Sequence, residues 1–425
     1  MSGYKQKRWN YYFVLITTWA AAITWFINYM YHPMMIRYLN SSDFAIFQSL
    51  MSMFNIFGVV SAWVSMYLIQ QFSIYSENTH KLLVLKQYRS SFAKTWWCII
   101  FLFFVLLSPL LTAYLHIPSF WLIVLVAISY LFTWYGIVFS WILHGTQKFE
   151  YIASLLIIWA LSRVTFWASA MWLDLGVAWA IAAVSLGSIC GVCLQYLLVK
   201  KIEHKAKKVI PQEIDEQPVE KIRQQLWPIS FFTVVAVTTM LLSQIDIFVV
   251  QHSFYGNEAW IYVAISVLAK FIFFLAWSIE TVYYPQFTKT LIHAVSRKQI
   301  RNYFILLSLI IGGWYVWSWA IGEYVLYLFK PTLVPYLSRL QRLLLGSWSV
   351  FIYTTILKLL IARKQHTQAY ILIWLWFFVM IALHLMPQSI AWFVLLYTWT
   401  MSWLALSWLF IFWYTIRNPQ KHSIH

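Results

Sequence analysis
The residues that invite chemistry in this 425-residue chain are charges set within long apolar runs. Arg163 and Lys270 each lie near the middle of such a run. Asp246, with Gln244 beside it, lies toward the far end of another, and Glu280 stands shortly before Pro285. Arg339 and Arg342 open a further run, and Lys358 lies near its other end. A charge at mid-membrane costs at least ~2.5–3.5 kcal/mol on insertion scales, so such groups mark candidate sites. The basic members outnumber the acidic ones. If they share a cavity, it is net cationic and suits an anionic ligand. Arginine suits phosphate in particular, because its planar fork donates two hydrogen bonds at once.

Each residue also has a plainer reading. Lys358 can snorkel to nearby headgroups. Arg339 and Arg342 are either interfacial anchors or cavity groups. Glu280 either pairs locally or takes a coupling ion, and Asp246 either takes a coupling ion or is the counter-ion of Arg163 or Lys270. Asn28, Gln48 and Asn55 read equally as hydrogen-bonding glue between helices. Arg163 and Lys270 are too deep for easy snorkelling, which favours a water-filled cavity around them.

The elements that position these groups are apolar helices. The chain is 62% hydrophobic and only 10% charged, against roughly 25% charged in soluble domains. About twenty apolar residues span a bilayer core. Twelve such spans are predicted, near 10–31, 45–70, 95–115, 119–143, 151–172, 177–199, 227–252, 259–284, 302–321, 338–361, 368–386 and 389–414. The runs are continuous rather than alternating, which favours helices over barrel strands.

The net charge of +17 does not point to nucleic acid, because Lys and Arg concentrate in alternate loops. One set of loops holds Lys5 to Arg8, Lys81 to Lys94, Lys148, Lys200 to Arg223, Lys289 to Arg301, Arg363 with Lys364, and the tail residues Arg417 and Lys421. The opposite loops hold only Arg37 and Lys330. The positive-inside rule then predicts that both termini are cytoplasmic, with the basic loops touching anionic headgroups.

The polar stretch 200–226, with Pro211 and Pro218, reads as a cytoplasmic linker between residues 1–199 and 227–425. A shift of 215 residues aligns Ser42-Asp43-Phe44-Ala45-Ile46-Phe47 with Asn257-Glu258-Ala259-Trp260-Ile261-Tyr262, and Gln71-Phe72-Ser73 with Gln286-Phe287-Thr288. The expectation is an all-α membrane protein of two six-helix bundles related by a pseudo-two-fold axis along the membrane normal. Cys190-Gly-Val-Cys193 has redox spacing but sits among Gly187, Ser188 and Gly191, which reads as tight helix packing. The histidines lack ligand spacing, so no metal site and no cofactor are expected. There is no phosphate-binding loop for ATP hydrolysis. The short outer loops lack the paired carboxylates that a glycosyltransferase or glycan polymerase would need.

Several motifs resemble those of one family. They are Gln244-Ile-Asp246-Ile-Phe-Val-Val250, Asn257-Glu258-Ala259-Trp260-Ile-Tyr262, Thr281-Val-Tyr-Tyr-Pro285, Arg37-Tyr-Leu39 before Ser42-Asp43-Phe44, and Leu143-His-Gly145-Thr-Gln-Lys148-Phe149. Their order resembles the polysaccharide (O-antigen-type) flippases of the multidrug/oligosaccharidyl-lipid/polysaccharide exporter superfamily. That family usually has Gly where Trp260 and Ala45 stand, a departure expected to alter packing at the outer gate. The resemblance implies a transporter, not an enzyme, in the bacterial inner membrane. It would carry a lipid-linked oligosaccharide on undecaprenyl diphosphate across the bilayer by alternating access, with membrane lipids and other glycan-assembly proteins as partners. Substrate contacts are then expected at Arg37, Arg163, Lys270, Arg339 and Arg342, and ion coupling at Asp246 or Glu280. The alternatives are a drug exporter of the same superfamily or a membrane glycan polymerase or glycosyltransferase.

Overall fold
The structure is a computed structural model and describes residues 19–20, 23–24, 26–74, 98, 101–145, 149–207, 226–254, 258–271, 297–362, 366–385 and 389–417. These residues are helical almost throughout. The helices are α1 (26–38), α2 (Ser41–Ile74), α3 (Phe101–Tyr114), α4 (Phe120–Gly145), α5 (Phe149–Trp172), α6 (Gly176–Lys207), α7 (Leu226–Ser253), α8 (258–271), α9 (Arg297–Phe329), α10 (Leu337–Ala362), α11 (His366–Leu385) and α12 (Ile390–Arg417). A 3-10 turn over Pro331–Tyr336 joins α9 to α10.

Among the described residues, five helices are long and apolar enough to cross a membrane: Glu150–Trp172, Gly176–Lys201, Arg301–Phe329, Thr367–Leu385 and Ile390–Ile411. Their outward faces are apolar too. On α12, Trp399, Trp403, Leu406 and Phe410 recur at helical spacing and are all exposed. A stripe of that size is unfavourable in water and at home in hydrocarbon.

The start of α2 shows how sequence sets a helix end. Asn40 Oδ1 accepts from the Asp43 N–H at 2.8 Å, and Asn40 Nδ2 donates to Asp43 Oδ2 at 2.9 Å. This reciprocal cap satisfies backbone donors that the first turn leaves open. It explains why Asp43 stands in that short loop. α5 ends differently: Asp174 takes a left-handed conformation (φ 51°) just past its last turn.

The described residues form two compact units. The first contains those up to His32 and those of Ile46–Val237; the second contains Pro33–Ala45 and those from Thr238 onward. Within the first, α6 packs against both α4 and α5. Ser129 and Thr133 on α4 meet Ser185 and Ser188 on α6, the second pair at 3.3 Å. Within the second, α10 packs against α12, where the hydroxyls of Ser349 and Ser402 share a hydrogen bond at 3.0 Å. Small residues make these approaches possible. A Cβ on Gly346 would stand 3.0 Å from Tyr397, and one on Gly191 would stand 2.7 Å from Trp159. Interhelical hydroxyl pairs and small residues are what hold helices together where lipid supplies no hydrophobic drive.

Candidate functional site
Two of the expected residues meet in the second unit. Asp246 on α7 is 1% exposed and Lys270 on α8 is 7% exposed. Lys270 Nζ donates to Asp246 Oδ1 at 2.6 Å. The other carboxylate oxygen, Oδ2, accepts from Tyr262 Oη at 2.8 Å and from Ser266 Oγ at 2.9 Å. Tyr262, Ser266 and Lys270 recur every four residues, so α8 presents all three donors on one face. The carboxylate is therefore fully engaged, and the lysine is balanced by a single acid. The counter-ion role open to Asp246 falls to Lys270. Tyr262 and Ser266 were not legible as site residues, although their four-residue spacing from Lys270 was the available signal.

Arg163 on α5 is held in another way. It is 6% exposed, and its Nε and Nη2 have no hydrogen-bond partner. No acid faces it among the described residues. Its guanidinium carbon lies 4.5 Å from the Trp159 ring centroid, 5.7 Å from that of Trp167 and 5.8 Å from that of Phe54. Cation–π attraction is worth ~2 kcal/mol or more when desolvated, which offsets only part of the cost of a buried charge. Trp159 and Trp167 flank Arg163 by four residues on either side, again one helix face. The arginine stem lies directly on Gly187 of α6, whose Cα would carry a Cβ only 3.2 Å from Arg163 Cα. Gly187 and Gly191 thus let α5 and α6 close up, in keeping with the packing role expected of that stretch.

Trp159 also walls a cavity of about 220 Å³ between α4, α5 and α6. Its lining is mainly apolar (Leu143, Ile152, Leu155 and Val192 among others) with Thr133, Ser188 and Gln195 as polar points.

The remaining expected residues are more exposed. Arg37, near the end of α1, donates from Nε to the carbonyl of Phe329 at 3.2 Å, both residues being in the second unit. Beside it, Lys330 Nζ lies 4.9 Å from the Trp260 ring centroid. Trp260, which stands where the resembling family usually has Gly, therefore seats a lysine. Arg339 lies over Tyr336 at 5.0 Å, and Arg342 is exposed, its carbonyl accepting from Thr398 Oγ1 at 3.0 Å. Glu280 lies outside the described residues. No group of His, Cys, Asp or Glu suited to a metal ion occurs among the described residues.

A family model for polysaccharide biosynthesis proteins matches residues 13–291. No curated protein matches the sequence. Among solved structures, the fold is similar to that of the lipid II flippase MurJ in its inward closed conformation. The TM-score is 0.70 at 15% identity, covering 95% of this chain and 88% of that one. It is also similar to the Vibrio cholerae MATE transporter VcmN, with a TM-score of 0.62 at 13% identity, covering 95% and 96% of the two chains. A eukaryotic MATE transporter gives a TM-score of 0.61 at 13% identity over 99% of both chains. Identities this low carry the fold alone, whereas the family match spans more than half of the sequence. The chain is thus a multi-pass, all-helical membrane protein with the fold seen in MurJ and MATE transporters, and it belongs to the polysaccharide biosynthesis protein family.

Proposed function
We propose that the protein is a flippase that moves an oligosaccharide linked to undecaprenyl diphosphate from the cytoplasmic to the outer leaflet of the bacterial inner membrane. Family membership and the MurJ-like fold support the substrate class. The observation that carries the reading is Arg163, a buried cation with free N–H groups and no acid to neutralise it. Its aromatic neighbours leave it competent to receive an anion.

In this reading the two halves, 1–199 and 227–425, are six-helix bundles related by a pseudo-two-fold along the membrane normal. They are joined by the linker 200–226, and both termini are cytoplasmic. The bundles rock between inward-open and outward-open states around a cationic central cavity. A diphosphate cannot cross ~30 Å of hydrocarbon unaided. Arg163 and Arg37 contact it, and Arg339 and Arg342 add positive charge along its route. Lys270 contributes its charge once Asp246 is protonated or displaced by the anion. Asp246, and Glu280 if it lies near, are the groups through which an ion couples. Membrane potential adds direction, worth ~2.3 kcal/mol per charge per 100 mV.

Reconstitution into vesicles with a defined diphosphate-linked oligosaccharide tests the reading by the accessibility of the glycan on the far leaflet. Wild-type protein is expected to move it, and Arg163→Ala to abolish movement while inserting normally. Undiminished movement by Arg163→Ala would remove that residue from the site. The likeness to MATE transporters favours one alternative, a small-molecule exporter. Vesicles that transport a small cationic drug but leave the lipid-linked glycan in place would establish it instead.

A further inference from the structure
The first unit contains a set of buried polar atoms that its own helices leave unpartnered. Thr24 Oγ1, Asn28 Oδ1 and His32 Nδ1 recur every four residues along one helix face, and Gln48 Oε1 and Ser52 Oγ do the same on α2. Thr24, His32, Gln48 and Ser52 are each more than nine-tenths buried. Hydroxyls elsewhere in the chain take the local option. Ser154 donates to the Glu150 carbonyl and Thr165 to the Leu161 carbonyl, both at 2.9 Å. Thr24 and Ser52 do not. A buried polar atom without a partner costs on the order of 1–3 kcal/mol, so such a cluster requires water or a ligand.

These atoms are linked to Arg163 by a continuous run of rings. The His32 ring lies 3.9 Å from that of Tyr31, and Tyr31 lies 4.0 Å from Trp167. Trp167 and Phe54 both contact the Arg163 guanidinium. The Gln48 side chain reaches His32. A lone cation thus sits at one end of a stretch that offers ring faces together with unsatisfied donors and acceptors. Free anions and apolar tails have no use for that second part. A sugar does, because it presents several hydroxyls around a C–H face.

We infer that the first unit holds a hydrated chamber that binds the sugar residue adjoining the phosphate, with Arg163 taking the phosphate and the α1 and α2 polar faces taking the hydroxyls. This rests on the flippase reading and narrows it: recognition of the glycan, as distinct from its lipid diphosphate, resides in the first unit.

The test uses full-length protein in detergent and two probes with the same short prenyl tail. One is a diphosphate-linked N-acetylhexosamine; the other is the sugar-free diphosphate. Calorimetric titration is expected to show tighter binding of the sugar-bearing probe. Gln48→Leu should weaken that probe roughly three- to tenfold, the worth of one hydrogen bond or more, and leave the sugar-free probe unchanged. Should Gln48→Leu fail to fold, Asn28→Leu on α1 makes the same comparison. Equal binding of the two probes by wild type, or an unchanged preference in a folded variant, would overturn the chamber while leaving the flippase reading in place. Failure of wild type to bind either probe would bring down both.

Discussion

The two units treat a buried positive charge in opposite ways. In the second, Lys270 is matched by Asp246, and the carboxylate is further held by Tyr262 and Ser266. In the first, Arg163 meets rings and no acid among the described residues. The 215-residue shift sharpens the contrast, for it places Asp246 opposite Tyr31 and Lys270 opposite Asn55. Where one half has a carboxylate and a lysine, the other has a phenol and an amide. A paired charge supports its own fold, whereas an unpaired one is held in readiness for something else. The contrast teaches that burial alone does not mark a functional cation; the state of its neighbours does.

The comparison breaks most visibly at the ion pair. Removing one member of a buried pair strands the other, at about 3–5 kcal/mol. Asp246→Ala is therefore expected to lower unfolding stability in detergent by that order. Replacing both residues with apolar ones of similar volume should restore much of it. If Asp246→Ala is no less stable than wild type, the pair is not buried as described.

A smaller effect is expected at Gly187. Gly187→Ala drives a methyl group into the Arg163 stem, and overpacking costs ~1–3 kcal/mol. Because the stem must shift, transport should fall along with stability although every charge is kept. Full transport by this variant would mean that the position of Arg163 is immaterial. The mildest change is Tyr262→Phe, which removes one of the two hydroxyl donors on Asp246 Oδ2. A hydrogen bond to a charged group is worth ~1.5–3 kcal/mol, and the remaining Ser266 bond should keep the loss at the low end. Thermal unfolding of Tyr262→Phe beside Ser266→Ala measures the share of each donor.

Much of this architecture was legible because hydropathy is a local property. Runs of about twenty apolar residues mark helices without knowledge of their neighbours, and the depth of Arg163, Lys270 and Asp246 follows from counting along them. The packing role of Gly187 and Gly191 was also readable, since small residues at helical spacing have few other uses in lipid. What could not be read was partnership. Asp246 had two deep cations available, and only the approach of α7 to α8 decides for Lys270. The aromatic surroundings of Arg163 were hidden for a related reason. In a chain with 27 tryptophans, composition cannot single out Trp159 and Trp167, although their four-residue spacing from the arginine was on view.

The bond from Arg37 to the Phe329 carbonyl has a consequence for how fast and how selectively a phosphate is caught. A free arginine loses much of its rotational freedom on binding, and that loss subtracts from affinity. Here the Nε–H is already committed, so the guanidinium plane is fixed before any visitor arrives while its terminal nitrogens stay open. Lysine in the same place would bring equal charge with no such anchor, and the residue is best regarded as a preset clasp rather than a loose positive tether.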